Sequence, residues 1–256
     1  MIDIHCHILP GVDDGPKTIE ESIIMAREAV REGIKTIIAT PHHRNNQYEN
    51  FKEDILQHVS NFNDLLIKEN IPLHILPGQE NRIYGELVED YQKGEIQTLA
   101  NTKYLFIEFS SSSVPRYSER LLYNIQNQGL TPIIVHPERN KEILDNPDVL
   151  YRLVSNGALT QVTAASIAGY FGKTIQKFSK QLVEHNLAHF VASDAHNIHN
   201  RTFKLNEAYD LIEKDFGLEW VYLFTENSEM LVEGKSIDKE IPEQIKKKKF
   251  FGIFSL

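Results

Sequence analysis

His5 and His7, His42 and His43, Glu80, Glu108, His136, and Asp194 with His196 each fall at or just past the end of a short apolar run in this sequence. His5 and His7 lie two residues apart in IDIHCH, and on an extended strand that spacing sends both imidazoles to one face and Cys6 to the other. The pair can therefore share a metal ion. Asp194 and His196 repeat the spacing, while Glu80, Glu108 and His136 close separate runs, LHILPGQE, YLFIEF and PIIVHP. Taken singly, each residue has an ordinary structural reading, and one His-x-His is a weak metal signal. Taken together, so many ionisable groups buried in one place without a metal would leave uncompensated charge and unpaired polar atoms. Metal is the economical explanation. Imidazole and carboxylate donors without thiolate suit manganese, iron or zinc, and are less typical of structural zinc sites, which favour cysteine. His43 cannot readily face the same way as His42. It is expected behind the ligands or facing substrate, with a purely structural role as the alternative.

These residues need a scaffold that brings several strand ends together. Runs rich in β-branched and aromatic residues at 2–6, 35–40, 73–77, 104–109, 131–136, 159–163 and 189–193 read as strands, with a weaker eighth at 221–224. Stretches of helical periodicity separate them. In the first, Thr18 and Glu21 form a capping box, Ile19, Ile23, Ala26 and Val30 share a face, and Gly33 supplies a stop. The β-α-β unit then repeats without a linker or low-complexity break, which predicts one α/β domain with a parallel sheet, closed into a barrel by seven or eight units. A doubly wound open sheet is the alternative. In a parallel barrel the loops at the C-terminal strand ends build the active site, and that is where the candidate ligands lie.

Composition narrows the function. With 36 acidic against 27 basic residues the formal net charge is -9, which disfavours a nucleic-acid surface. One cysteine excludes an internal disulfide framework. No apolar run approaches the roughly 20 residues of a membrane span, and no apolar leader precedes the first polar motif, so a cytoplasmic protein is expected. A phosphatase with a cysteine nucleophile would need an arginine at the sixth position after it; Val12 stands there, and Cys6 reads as a small buried residue behind its strand. Arg139 in HPER and Arg201 after SDAHN are candidates to grip a substrate phosphate, because guanidinium offers fixed bidentate donors. Arg116 in SVPRY is a weaker candidate of the same kind, and an exposed salt bridge is the alternative for each.

HCHILPGVDDG at 5–15, TPHH at 40–43, PGQE at 77–80, IEF at 107–109, HPERN at 136–140 and SDAHN at 193–197 resemble, in order, the motifs of the polymerase-and-histidinol-phosphatase superfamily. More narrowly, they resemble its manganese-dependent protein tyrosine phosphatases from Gram-positive bacteria, encoded with capsule or exopolysaccharide genes. The resemblance implies a single-domain distorted (β/α)7 TIM-like barrel over residues 1–240 and a centre of three manganese ions, with iron or zinc as alternatives in some sites. By it, His5, His7, Glu80 and Asp194 hold one metal, Glu80, Glu108 and His136 a second, and Asp14, His42 and His196 a third. Asp14 is a ligand by this resemblance alone, since DDG by itself reads as a turn. Arg139, Arg201 and Glu108 become the expected catalytic residues, with His43 and Arg116 as further substrate contacts. Hydrolysis would be direct, without a phosphoenzyme.

The implied substrate is a phosphorylated tyrosine autokinase working with its membrane activator, and the implied role is control of capsular or exopolysaccharide synthesis. A histidinol-phosphate phosphatase, and a metal-binding regulatory module without catalysis, remain the alternatives. Residues 241–256 form a separate basic and aromatic tail ending in IKKKKFFGIFSL. It reads as a solvated end, as a helix packed on the barrel, or as a peripheral contact with an anionic membrane or a partner.

Overall fold

A computed structural model describes residues 1–246. Along the chain run β1 (Ile2–Cys6), α1 (Ile19–Arg31), β2 (Thr36–Ala39), β3 (His42–His43), α2 (Lys52–Lys68), β4 (His74–Pro77), β5 (Glu80–Arg82), α3 (Leu87–Gln92) and β6 (Tyr104–Glu108). They are followed by α4 (Ser118–Asn127), β7 (Thr131–Val135), α5 (Lys141–Asp145), α6 (Asp148–Ser155), β8 (Leu159–Thr163), α7 (Ala164–Ala168), α8 (Lys173–Glu184), β9 (Phe190–Ala192), α9 (Leu205–Phe216) and α10 (Leu218–Val232). The protein is an α/β fold in which every strand pairing is parallel. Instead of the single closed ring expected, the strands form a three-stranded sheet, β1-β2-β4, and a six-stranded sheet, β3-β5-β6-β7-β8-β9. The separation has a local cause. Pro41, without an N–H, divides β2 from β3, and Gly78–Gln79 divide β4 from β5.

The expected eighth strand at 221–224 is instead the second turn of α10. Its VYLF run is β-prone in isolation, but Phe224, Asn227, Ser228 and Leu231 bury one helical face against the rest of the molecule, and tertiary packing overrides propensity. In α1, Thr18 does cap Glu21 N, yet the buried face is Ser22, Met25, Ala26 and Ala29. Ile19, expected inside, is 37% exposed. Gly33 ends the helix with φ 77°, a left-handed conformation that glycine adopts without strain.

Most of the core lies between strands and helices. A second apolar cluster, with Ile4, Ile38, Phe106, Val135, Leu159 and Phe190, gathers residues from β1, β2 and β6 to β9. The register of β1 against β2 slips between Asp3 and Cys6. Ile4 joins this cluster while the adjacent His5 ring also packs 4.9 Å from Phe106, so the slip breaks the alternation that would have turned His5 away. Cys6 is fully buried in the other cluster, as a residue behind the strand. Besides its pairing with Ala39 of β2, an isolated parallel bridge to Ala195 joins β1 to the segment just past β9. The ends of β1, β3, β5, β6, β7 and β9 thereby meet at one place. Among the described residues no helix is long and apolar enough to cross a membrane. Most of the basic tail, from residue 247 on, lies outside the described residues.

Candidate metal centre

His5 and His7 lie side by side, as the two-residue spacing requires, with their Nε2 atoms 3.4 Å apart. Each ring is held from behind: His5 Nδ1 lies 2.8 Å from Gln161 Oε1, and His7 Nδ1 2.6 Å from Asp13 Oδ2. His196 is oriented likewise, with Nδ1 2.9 Å from the Asp194 carbonyl. Imidazoles fixed at Nδ1 and converging through Nε2 are the arrangement typical of metal ligands.

Three groups of donors each have their ligand atoms within 4.8 Å of one another: His7, Asp14, His42 and His196; His5, His7 and Glu80; and His42, Glu80 and Glu108. Parallel register explains part of this, because His42 pairs with Glu80, and Glu80 with Phe106, two residues before Glu108. The division differs from the expected one in two respects. His42 is within reach of Glu80 and Glu108 as well as of Asp14 and His196, and His7 joins the Asp14 group. Two expected ligands stand just outside. His136 Nε2 lies 2.8 Å from Glu80 Oε1, and Asp194 Oδ1 lies 3.4 Å and 3.5 Å from the Nε2 atoms of His5 and His7.

The donors fit divalent cations for a reason visible in their unmet bonds. His42 Nδ1, Glu80 Oε2, Glu108 Oε2 and His196 Nε2 are buried without a hydrogen bond. His42 Nδ1 and Glu80 Oε2 approach to 2.8 Å without that alignment, as two ligands of one ion would. Charge is divided to match. Burial would raise the Glu80 carboxyl, but His42 and His5 hold it well below its ordinary range. Burial and then repulsion from Glu80 push Glu108 up to about 7. Burial would lower His7, yet the charge and hydrogen bond of Asp13, aided by Asp194 and Glu80, hold it well above. The protein thus balances clustered carboxylates with protons, a role that a cation fills in a mixed imidazole and carboxylate site.

Two site residues have left-handed backbone. His136 has φ 36° and Asp194 φ 52°, left-handed conformations that cost a non-glycine residue about 1–3 kcal/mol. At His136 the strain turns the chain into the 137–139 helical turn that carries Arg139. Arg139 Nη2 lies 2.6 Å from Asp194 Oδ2, and its guanidinium stacks 5.6 Å from the Phe171 ring. Arg201 reaches Asp194 at 3.2 Å and Asp14 at 3.3 Å. Both arginines line a cavity of about 330 Å³ that opens on His42, Glu108 and Asp194, with Phe109, Val135 and Pro137 as its apolar part.

Two expected substrate contacts are elsewhere. Arg116 is exposed in the segment after β6 and does not line the cavity. His43 is fully buried on the other side of β3 from His42, edge-on to Phe51 at 5.3 Å and to Tyr84 at 6.4 Å. Burial and then the Arg44 charge push its pKa down to about 4. A neutral ring packed there is structural. Three residues were missed from sequence: Asp13 and Gln161, which hold the imidazoles, and Arg82, which lines the cavity. Arg82 follows Glu80 by two, the spacing already noted for the ligand pairs, and Gln161 is the one amide in the LTQVT strand run, so each left a trace.

Comparison with known proteins agrees with this geometry. The chain is 53% identical over 254 residues to tyrosine-protein phosphatase YwqE of Bacillus subtilis (strain 168), spanning 99% of this chain and 100% of that protein. It is 35% identical over 243 residues to tyrosine-protein phosphatase CpsB of Streptococcus agalactiae serotype III, spanning 93% and 100%. A crystallographic study of YwqE from Bacillus subtilis and CpsB from Streptococcus pneumoniae, described as unique metal-dependent tyrosine phosphatases, includes a chain that superposes with a TM-score of 0.95 at 53% identity. The superposition covers 96% of this chain and all of that one. A probable 2-pyrone-4,6-dicarboxylic acid hydrolase from Acinetobacter baumannii shares the fold alone, with a TM-score of 0.53 at 14% identity over 91% of this chain and 98% of that one. The family model for capsular polysaccharide synthesis, CpsB/CapC, matches residues 1–233, and with relatives this similar over nearly their whole length the chain belongs to the CpsB/CapC family.

Proposed function

We propose that this protein is a metal-dependent protein tyrosine phosphatase. The observation that carries the reading is the cavity: Arg139 and Arg201 beside a cluster of metal-type donors, with Phe109, Val135 and Pro137 alongside to receive an aromatic ring. Three manganese ions, shared among His5, His7, Asp14, His42, Glu80, Glu108, His136, Asp194 and His196, match the number and type of donors. Bound there, such ions supply Lewis-acid activation and a nucleophile from water at neutral pH.

The chain's own groups do the remainder. Arg139 and Arg201 are ion-paired to Asp194 and Asp14, both carboxylates of ligand type. A cation on those carboxylates competes for the same oxygens, which leaves guanidinium N–H groups for the phosphate. Phe109 and Pro137 orient the ring and exclude water. The phenol of tyrosine, with a pKa near 10, departs more readily than an alkyl alkoxide, so no strong general acid is required.

Three further points belong to the same reading. The two sheets are one distorted seven-unit barrel spanning 1–240, bent at Pro41 and at Gly78–Gln79 and brought together by the Cys6–Ala195 bridge. The substrate is a phosphorylated bacterial tyrosine kinase, acting with its membrane activator in capsular or exopolysaccharide synthesis, which suits a cytoplasmic enzyme. The basic and aromatic tail, 241–256, brings it to the inner membrane face.

Turnover of a phosphotyrosine peptide, a phosphoserine peptide and histidinol phosphate tests the proposal. Preference for phosphotyrosine is expected. Preference for histidinol phosphate would reassign the same site to a small-molecule phosphatase.

A further inference from the structure

Arg82 stands in the cavity wall, and its contacts point toward the end of β6. Parallel register sets it opposite Glu108. Its Nη1 donates to the Phe109 carbonyl at 2.9 Å, and its Nη2 lies 3.3 Å from Glu108 Oε2. One arm of the fork is therefore anchored on backbone while the other faces the carboxylate. Glu108 Oε2 is buried and makes no hydrogen bond, although it has this ion pair. The same oxygen lies 3.8 Å from His42 Nδ1, within the group formed by His42, Glu80 and Glu108. Among the described residues Arg82 is the only arginine or lysine ion-paired with Glu108.

We propose that Arg82 is the positioning residue for Glu108: anchored on the Phe109 carbonyl, its guanidinium holds the Glu108 carboxylate in place, preset as a ligand for a divalent cation beside His42 and Glu80. The inference rests on the metal-centre reading above. It assigns Arg82 a task distinct from that of Arg139 and Arg201, which pair with Asp194 and Asp14. A planar fork suits this task because it spans a carbonyl and a carboxylate at once, which the point charge of lysine does not. Arg82 thereby acts on the reaction through Glu108, and through the Phe109 backbone that borders the ring side of the cavity.

The test compares manganese binding and kinetics in wild type, R82Q, E108Q and the double variant. Wild type that binds no manganese would remove the metal-centre reading itself, before any statement about Arg82. With wild-type binding established, R82Q should weaken one class of bound manganese by about 10- to 100-fold, the usual effect of losing a partner of a ligand. KM for a phosphotyrosine peptide at saturating manganese should stay near the wild-type value. In the E108Q background R82Q should add no further loss, since the two act as one unit. Unchanged manganese affinity with a raised KM would overturn the proposal in favour of direct phosphate contact, and so would full additivity with E108Q. Should R82Q fail to fold, R82K reads the same quantities with the charge retained and the fork removed.

Discussion

The Nε2 atoms of His5 and His7 face each other across 3.4 Å while their Nδ1 atoms are occupied by Gln161 and Asp13. A carboxylate and an amide oxygen only accept, so each Nδ1 carries its proton and each Nε2 is the atom left to take a second proton or a cation. Two lone pairs so close repel unless a proton or a cation lies between them. The neighbouring Glu80 Oε2, 3.5 Å and 3.2 Å from these two nitrogens, adds a third donor to the same point.

Asp13 therefore governs the centre without being one of the expected ligands. It holds His7, and the same carboxylate accepts from the Gly15 and His42 backbone N–H groups. Asp13→Asn keeps an acceptor but removes the charge, and manganese affinity should fall about 10- to 100-fold with the fold intact. Isothermal titration with manganese measures this, and wild-type affinity in D13N would show that the contact is only a turn.

The cavity arginines should behave differently from the ligands. R139Q and R201Q should each lower kcat/KM for a phosphotyrosine peptide by about 10²- to 10³-fold, the range for one donor to transition-state charge. Bound manganese should not decrease, because Asp194 loses a competitor for its oxygens. Steady-state kinetics paired with metal analysis separates the two effects. Loss of metal in R139Q would mean that the arginine supports the centre and not the substrate.

Much of this site was legible because strand geometry is periodic. The two-residue spacing of His5 and His7 needed only alternation, and strand-end placement of Glu108 and His136 needed only a parallel sheet, whereas Glu80 opens β5 past the break after β4. What sequence could not show was the register slip at Asp3–Cys6 that turns His5 inward, or the breaks at Pro41 and Gly78–Gln79 that separate the two sheets. Those depend on packing between distant segments. The 221–224 run failed for the same reason, since its apolar residues satisfy strand and helix alike until the partner surface is known. His43 takes the structural role that alternation along its strand had left open, while Arg116 lies in the segment after β6, whose path no strand periodicity predicts.

Stability should carry a separate acid signature from His189, remote from the metal donors. The ring is 3% exposed, and its Nδ1 accepts from Thr160 N at 3.1 Å. Burial, and then the Lys239 charge, push its pKa down to about 3. The unfolded chain takes up a proton near pH 6.5 and the folded one does not until about pH 3, so stability is lost as pH falls through that window. His189→Gln keeps an acceptor and does not titrate. Between pH 7 and pH 5 wild type should lose about 2 kcal/mol more than H189Q in urea unfolding. Parallel losses in the two proteins would show that the ring is protonated in the folded state.

The most direct test of the central claim is phosphotyrosine-peptide hydrolysis by protein stripped with a chelator, assayed before and after manganese is returned and with bound metal counted. The expected result is loss of turnover on stripping and recovery as manganese fills the centre. Undiminished turnover in protein shown to hold no metal would contradict the account.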